Sequence, residues 1–524
     1  MNNNNIIVKL FTSLKLTVAL LAISLAIVFL GTMAQEPLGQ KIAVERFFQS
    51  FFVDQVAMEA AYIKTVQIFG VATEPLSPER ILEAKRWPVF PGGYLIGVLL
   101  LINLLSAHAQ RFTFTWKKGG IFLTHIGIIL LLLGQLLTDL LSQESFVHME
   151  RGDRRHFSVS FDNNELVLLS HVNAQSNRVV AIPESLLERT AEVTHPDLAG
   201  LKIRSLQHWV NAAPKSARQF VDWFSEKQTD RFNDRERRKV QLEKRGKLGK
   251  AEQAELDQLT ADLPELQQRQ FFAQFFARDF YIARAKEETA EELKELLEMF
   301  RKRVEEVPLS EAKANSFKPA ILAMMKEWEA AAAKHAVKVD GGRLGDFYKF
   351  VVPLPPALAS DQRNFPAAVI EIKGATASTK WLVTCQTELT QRVDDGNKTY
   401  HISLRPARHY KEHSLSLVDL KYEKYAGTET PKNFESIVLL DDAKANVQRQ
   451  VSISMNAPLR HDGLTYYQYQ MNQNQLGSTS QTVLQVVRNP GWLTPYFACL
   501  IVALGLIYQF LIHLVGFARK RRST

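Results

Sequence analysis

The stretch GGIFLTHIGIILLLLGQLLTDLL, residues 119–141, is apolar enough and long enough to cross a bilayer, yet it contains His125. An ionisable group in hydrocarbon is expensive, so by default it faces a protein interior or a cavity and marks a functional pathway. A neutral imidazole is also a metal ligand, and the plainer alternative is a hydrogen bond to a neighbouring helix. On an ideal helix Lys118, seven residues earlier, lies within about 20° of the His125 face and about 10 Å nearer one end. Gly120, Gly127 and Gly134 recur every seven residues on roughly the opposite face, and such a stripe lets another helix approach closely. Asp139 falls within about 40° of the His125 face but about 21 Å farther along, too far to orient the ring.

Twelve of the 13 histidines lie elsewhere. His108 ends an apolar window and would face His125 if the two helices pair, although snorkelling to the interface is the expectation. His401, His409 and His413 crowd the segment YHISLRPARHYKEHS; in a strand-like context their spacing is not a helical metal motif, so surface histidines are expected. His461 sits in LRHDGL, which reads as a turn, and His513 lies in the last apolar window. The only cysteines are Cys385 and Cys499, which excludes a disulfide framework, a thiolate zinc site and a C-x-x-C redox pair. Cys385, a lone thiol on a strand-like run, is expected to serve packing.

The elements that must position these groups start with four windows of spanning length, residues 16–34, 91–107, 119–141 and 493–518. The first follows Lys9 and Lys15 and ends in GTMAQ, which resembles a cleavage site, but its apolar run is longer than a usual signal core. Basic residues set the orientation. Arg111, Lys117 and Lys118 lie between the second and third windows, and Arg519, Lys520, Arg521 and Arg522 in the basic tail 519–524. Placing these with Lys9 and Lys15 on the cytoplasmic side is self-consistent and puts both termini inside. Part of the formal net charge of +9 is thereby an orientation signal, and a nucleic-acid reading loses most of its support.

Residues 1–141 then form an N-terminal membrane domain with an outer loop, 35–90, and residues 142–492 a large extracytoplasmic domain. In the loop, VERFFQSFFVDQVAMEAAYIKTVQIFG has helical spacing and suggests either a helix on the membrane surface or a plain packed helix. Residues 156–182 and 365–487 read as strands and turns. Between them, about 212–336, runs such as DRERRKVQLEKRGKLGKAEQAELDQL and EETAEELKELLEMFRKRVEEV predict amphipathic helices. The fold class expected is an α+β membrane protein: four transmembrane helices and a β-rich extracytoplasmic domain carrying a helical insertion.

Three strand-rich or apolar segments near the C-terminus, LSLVDLKYEKYAGTETPKNFESIVLL, VSISMNAPLRHDGLTYYQYQ and VVRNPGWLTPYFACLIVALGLIYQF, follow SLKLTVALLAISLAIVFLGTMAQ and GGIFLTHIGIILLLLGQ in order. Together they resemble the ResB (CcsB) family of cytochrome c biogenesis proteins, the system II haem-attachment route. The resemblance covers the membrane part and both strand-rich blocks and stops at the insertion. It implies a bacterial inner-membrane subunit with its large domain on the periplasmic side, handling haem b in transit. It also implies a CcsA (ResC) type partner, apocytochrome c as client, and a separate thiol reductant pathway. A tryptophan-rich haem motif belongs to that partner, and the seven Trp residues here are scattered. His125 matches the family's membrane histidine, implicated in haem binding, and makes a chemically suitable axial ligand for haem iron. Lys118 is the candidate cation for a haem propionate.

Gly427, Pro431, Asn456, Pro458, Gly463 and Tyr467 punctuate the family-like segments, where Gly and Pro are expected to set turns and strand ends. Nothing resembles a dedicated nucleophile or base, so the expected role is a non-catalytic or co-catalytic subunit of a haem lyase (synthetase) complex, acting by positioning. The alternative is a cofactor-free membrane-anchored scaffold for envelope assembly. A transporter is disfavoured because four spans lack the paired broken helices of a midplane site.

Overall fold

A computed structural model describes residues 6–522 except 72, 74–75, 77–79, 82–85, 112–114, 173–175, 190–191, 199, 246–247, 284–301, 303–310, 358–361, 375–377, 395–397, 426, 428–430 and 474–478. The fold is α+β. Four helices among the described residues are long and apolar enough to cross a membrane. They are Leu14–Leu38, Gly93–Arg111, Gly119–Leu141 and Thr494–Arg522, called here the first to fourth apolar helices.

The strands are β1 (Phe52–Asp54), β2 (Pro88–Pro91), β3 (Gln143–Glu150), β4 (Arg154–His171), β5 (Asn177–Pro183), β6 (Glu192–Thr194), β7 (Lys202–Trp209) and β8 (Ala212–Lys215). They continue with β9 (Phe350–Pro353), β10 (Ala367–Lys373), β11 (Ser378–Thr384), β12 (Gln391–Asp394) and β13 (Thr399–Lys424). The last are β14 (Pro431–Asp442), β15 (Val447–Ser454), β16 (Leu459–His461), β17 (Leu464–Gln473) and β18 (Thr479–Arg488). Beyond β1 and β2, strand structure begins at Gln143, ahead of the expected 156, and β6 and β7 lie outside the stretches expected to be strand.

The chain forms two compact units. The first comprises Met1–Asp162, Pro355–Arg363 and Pro406–Thr524 and so holds all four apolar helices. Within it β15 and β14 pair antiparallel, β14 pairs with Ser414–Lys424 of β13, and β3, β18, β17 and β16 pair in that order. Their inner faces bury Leu415, Leu417, Val438, Leu440, Leu459, Tyr466 and Leu484 in one core.

A continuous helix across VERFFQSFFVDQVAMEAAYIKTVQIFG does not form. The helical turn Val44–Phe48 ends, β1 pairs with β2, and a new helix, Gln55–Ile68, starts where Asp54 accepts the Ala57 N–H at 2.9 Å. That helix buries Val56, Ala57, Ala60 and Ala61, and the three alanines share a core with Ala34 and Leu38 of the first apolar helix. Such packing is what the packed-helix alternative expects.

The second unit, Asn163–Leu354 and Asn364–Arg405, has a four-stranded sheet of order β11-β10-β7-β6. Its helical insertion comprises Ala217–Lys244, Lys250–Ala283 and Glu311–His335; apart from Lys302, the run expected to be helical at 287–307 lies outside the described residues. Residues 212–215, expected to open the insertion as helix, are β8, which pairs with β9 from Ala212↔Pro353 to Lys215↔Phe350. Directly after this ribbon Ser216 caps the first insertion helix: its Oγ accepts the Gln219 N–H at 3.3 Å, and its own N–H donates to Gln219 Oε1 at 2.9 Å. Phe220 stacks on Phe350 at 4.1 Å, and Phe224, Ala273, Met324 and Trp328 complete that core. Burial alone would raise the Glu327 carboxyl, but Arg231, Gln228 and Arg269 outweigh it and hold it below the usual carboxylate range.

Candidate functional site

The second apolar helix is tied down by Asn103, 2% exposed, whose Nδ2 donates to the carbonyls of Phe11 and Ser13 at 2.8 and 3.3 Å. Its Oδ1 accepts from Thr17 Oγ1 at 2.6 Å, so a polar group among apolar helices is satisfied. The third helix is located by its glycine stripe. A Cβ on Gly120 would lie 2.4 Å from the Gly505 carbonyl, on Gly127 2.4 Å from Val502, and on Gly134 2.6 Å from Thr494. The fourth helix therefore fills the glycine face, and the His125 face turns to the second helix.

There His125 meets His108, ring centroids 4.7 Å apart and planes at 88°. His108 does not snorkel away: its Nδ1 is 3.0 Å from the Leu104 carbonyl and its Nε2 is 3.1 Å from His125 Nδ1. These contacts fix the tautomers of two neutral rings. A carbonyl only accepts, so His108 Nδ1 carries hydrogen and its Nε2 is bare. His125 Nδ1 must then donate to that bare nitrogen. His125 Nε2 is left with a lone pair and, among the described residues, no hydrogen-bond partner.

Lys118 closes the 3-10 turn Trp116–Lys118 and is the exposed N-cap of the third helix, with φ −105° and ψ 4°. Its ammonium has no ion-pair partner among the described residues. Asp139 accepts from Gln135 and Tyr94 at 3.0 and 3.4 Å, away from the imidazole pair. His513 contacts Gln509 at 3.0 Å, and Cys385 Sγ lies 3.4 Å from Asn164 Oδ1.

The other histidines divide. His401 packs edge-on to His171 at 5.4 Å, and His409 lines a cavity of ≈ 480 Å³ with Lys411, Asp462 and Arg488. His413 is no surface histidine; it is 2% exposed. Alternation along β13 puts it on the same buried face as Leu415 and Leu417. Asp442 closes β14 and its Oδ1 accepts the N–H groups of Lys444 and Ala445 at 3.0 and 2.9 Å, while Asn446 takes φ 53° to complete the turn. His461 ends β16, and Asp462 (φ 49°) and Gly463 (φ 68°) form the two-residue turn into β17, the positive-φ pair of a type I′ hairpin.

These three turns and strands converge. His461 Nε2 donates to Asp442 Oδ2 at 2.8 Å, the His413 and His461 rings are 4.7 Å apart, and His413 Nε2 is 2.7 Å from the Tyr466 hydroxyl. His413 Nδ1 is buried without a hydrogen-bond partner among the described residues. Burial, then His461, pushes the His413 imidazole below its ordinary value, and burial raises Tyr466. The Ala445 N–H, then His461, holds Asp442 below the usual carboxylate range.

Fold and site together define a protein with four helices of membrane-crossing length, an imidazole pair between two of them, and a β-rich part. Residues 374–483 match the family model described as the ResB-like family, which supports assigning the chain to the ResB (CcsB) family, a cytochrome c biogenesis-related class of membrane protein. The matched stretch holds His413, Asp442 and His461 and lies outside the helix that carries His125. No curated protein matches the chain.

Proposed function

We propose that this chain is the membrane subunit of the cytochrome c maturation machinery that, with a CcsA/ResC-type partner, hands haem to the outer face and positions apocytochrome c for covalent attachment. Haem is cargo here. The observation that carries the reading is the chain Leu104 carbonyl, His108, His125, because it presents Nε2 of His125 as a bare donor in an apolar setting suited to axial ligation of haem iron. His108 orients that ligand by accepting its Nδ1–H, as partners of ligating imidazoles do. The exposed Lys118, at the end of the helix nearer the basic loop, supplies a cation for a propionate. Both termini lie in the cytoplasm and the β-rich part in the periplasm, a reading that the basic loop and tail support. Reductant for the client's cysteines comes from a separate pathway, since this chain has no paired thiols.

The test is the absorption spectrum of the chain copurified with its CcsA-type partner from haem-sufficient cells. A haem band lost in His125→Ala and restored by added imidazole supports the reading, with a parallel loss in Lys118→Glu extending it to the propionate. A band indifferent to His125→Ala moves the ligand elsewhere, and preparations without haem favour a cofactor-free scaffold.

A further inference from the structure

We propose that His413, His461 and Asp442 form a binding site for one divalent transition-metal ion, best matched by Zn²⁺, that pins β13, β14 and β16 together. One donor atom from each residue lies within 4.8 Å of the other two. Two imidazoles and a carboxylate are a borderline nitrogen–oxygen set, which suits zinc better than calcium or magnesium, and three protein ligands leave a fourth position for water.

The independent observation is the orphaned nitrogen. His413 Nδ1 is buried with no hydrogen-bond partner among the described residues, a condition that leaves its desolvation uncompensated. Its other nitrogen is fixed by Tyr466, so rotating the ring to rescue Nδ1 would forfeit that bond. A cation resolves the conflict: Nδ1 becomes a ligand while Nε2–H donates to the Tyr466 oxygen, the outer-sphere bond that orients ligating histidines. Asp442 is prepared in the same way. Two backbone N–H groups hold Oδ1 and leave Oδ2 aimed at His461.

The closure required is small. His461 Nε2 and Asp442 Oδ2, 2.8 Å apart, must open to the roughly 3.3 Å set by zinc–ligand bonds of about 2.0–2.1 Å, and each residue offers a donor atom within 4.8 Å of the other two. With His413 2% exposed, the site admits an ion and not a macrocycle, so it is separate from haem handling. A second group, Glu184, Glu188 and His208, has similar composition, but Glu184 is occupied by Asn164 and His208 and no member leaves a buried atom unmatched.

The experiment strips the detergent-purified full-length protein with a chelator, then titrates Zn²⁺ by equilibrium dialysis and Co²⁺ by its visible d–d band. One equivalent with a tetrahedral or five-coordinate cobalt band is expected, with His401→Ala behaving as wild type. His461→Ala should weaken binding by more than the roughly 10–100-fold that follows loss of an outer-sphere partner, and Tyr466→Phe by about that factor. The His461 side chain is 14% exposed, so its truncation is the safer test should His413→Ala fail to fold, and circular dichroism checks each variant. Wild-type protein that takes up no Zn²⁺, or uptake unchanged in a folded His461→Ala variant, overturns the proposal.

Discussion

An imidazole surrounded by carbon is defined by what its two nitrogens meet, and on that point the two histidine sites differ. At His125 one nitrogen is matched by His108 and the other carries a bare pair; at His413 the hydroxyl of Tyr466 takes one and nothing among the described residues takes the other. His108→Phe keeps an aromatic ring in place but removes the acceptor for His125 Nδ1–H. Haem affinity of the purified complex should then fall about 10–100-fold while His125 remains present, and a spectral titration reads this directly. An affinity equal to wild type would mean that His108 does not orient the ligand. His125 was legible because hydropathy isolates it. His413 was not: the spacing of the histidines in YHISLRPARHYKEHS fits no helical metal motif and so suggested a surface, although the register of HSLSL already places it in line with Leu415 and Leu417. Alternation was the usable signal, and the spacing of the histidines misled.

At the scale of elements, the glycine stripe translated most directly into structure, because a period of seven on a helix has one geometric meaning. Gly127→Val tests it. The added Cβ would stand 2.4 Å from Val502 Cγ2 and 2.8 Å from the Ala498 carbonyl, so the third and fourth helices must separate or shift. A loss of about 1–3 kcal/mol is expected, read as a lowered thermal transition in detergent. Gly97→Val is the control, since a Cβ there meets nothing within 4 Å and should leave the transition in place. Equal effects at both positions would remove the stripe's special role. The loop helix was harder to read. Its apolar spacing continues through residues 49–54, and what breaks it is long-range pairing of β1 with β2, which no local pattern encodes.

For the whole molecule, four apolar helices and the distribution of basic residues make a statement about sides that labelling can check. In a Cys385→Ser, Cys499→Ser background, Ala251→Cys on the exposed face of the insertion should react with a membrane-impermeant thiol reagent in intact spheroplasts. Lys117→Cys should react only after lysis, and the reverse pattern would invert the proposed orientation. The insertion itself was legible as helix-rich, whereas the strand pair at its base was not, because four residues of β8 carry too little pattern to stand out from the helices that follow. That ribbon has a practical consequence. Chain enters and leaves at paired positions, Lys215 opposite Phe350, so the sheet sees only a closed end whatever is attached beyond it. Doubling the length of such an excursion costs only about 0.6 kcal/mol in closure entropy. The base of the insertion is therefore a socket, a place where foreign modules, affinity handles or reporter domains can be plugged in with the strands beneath left to pair as before.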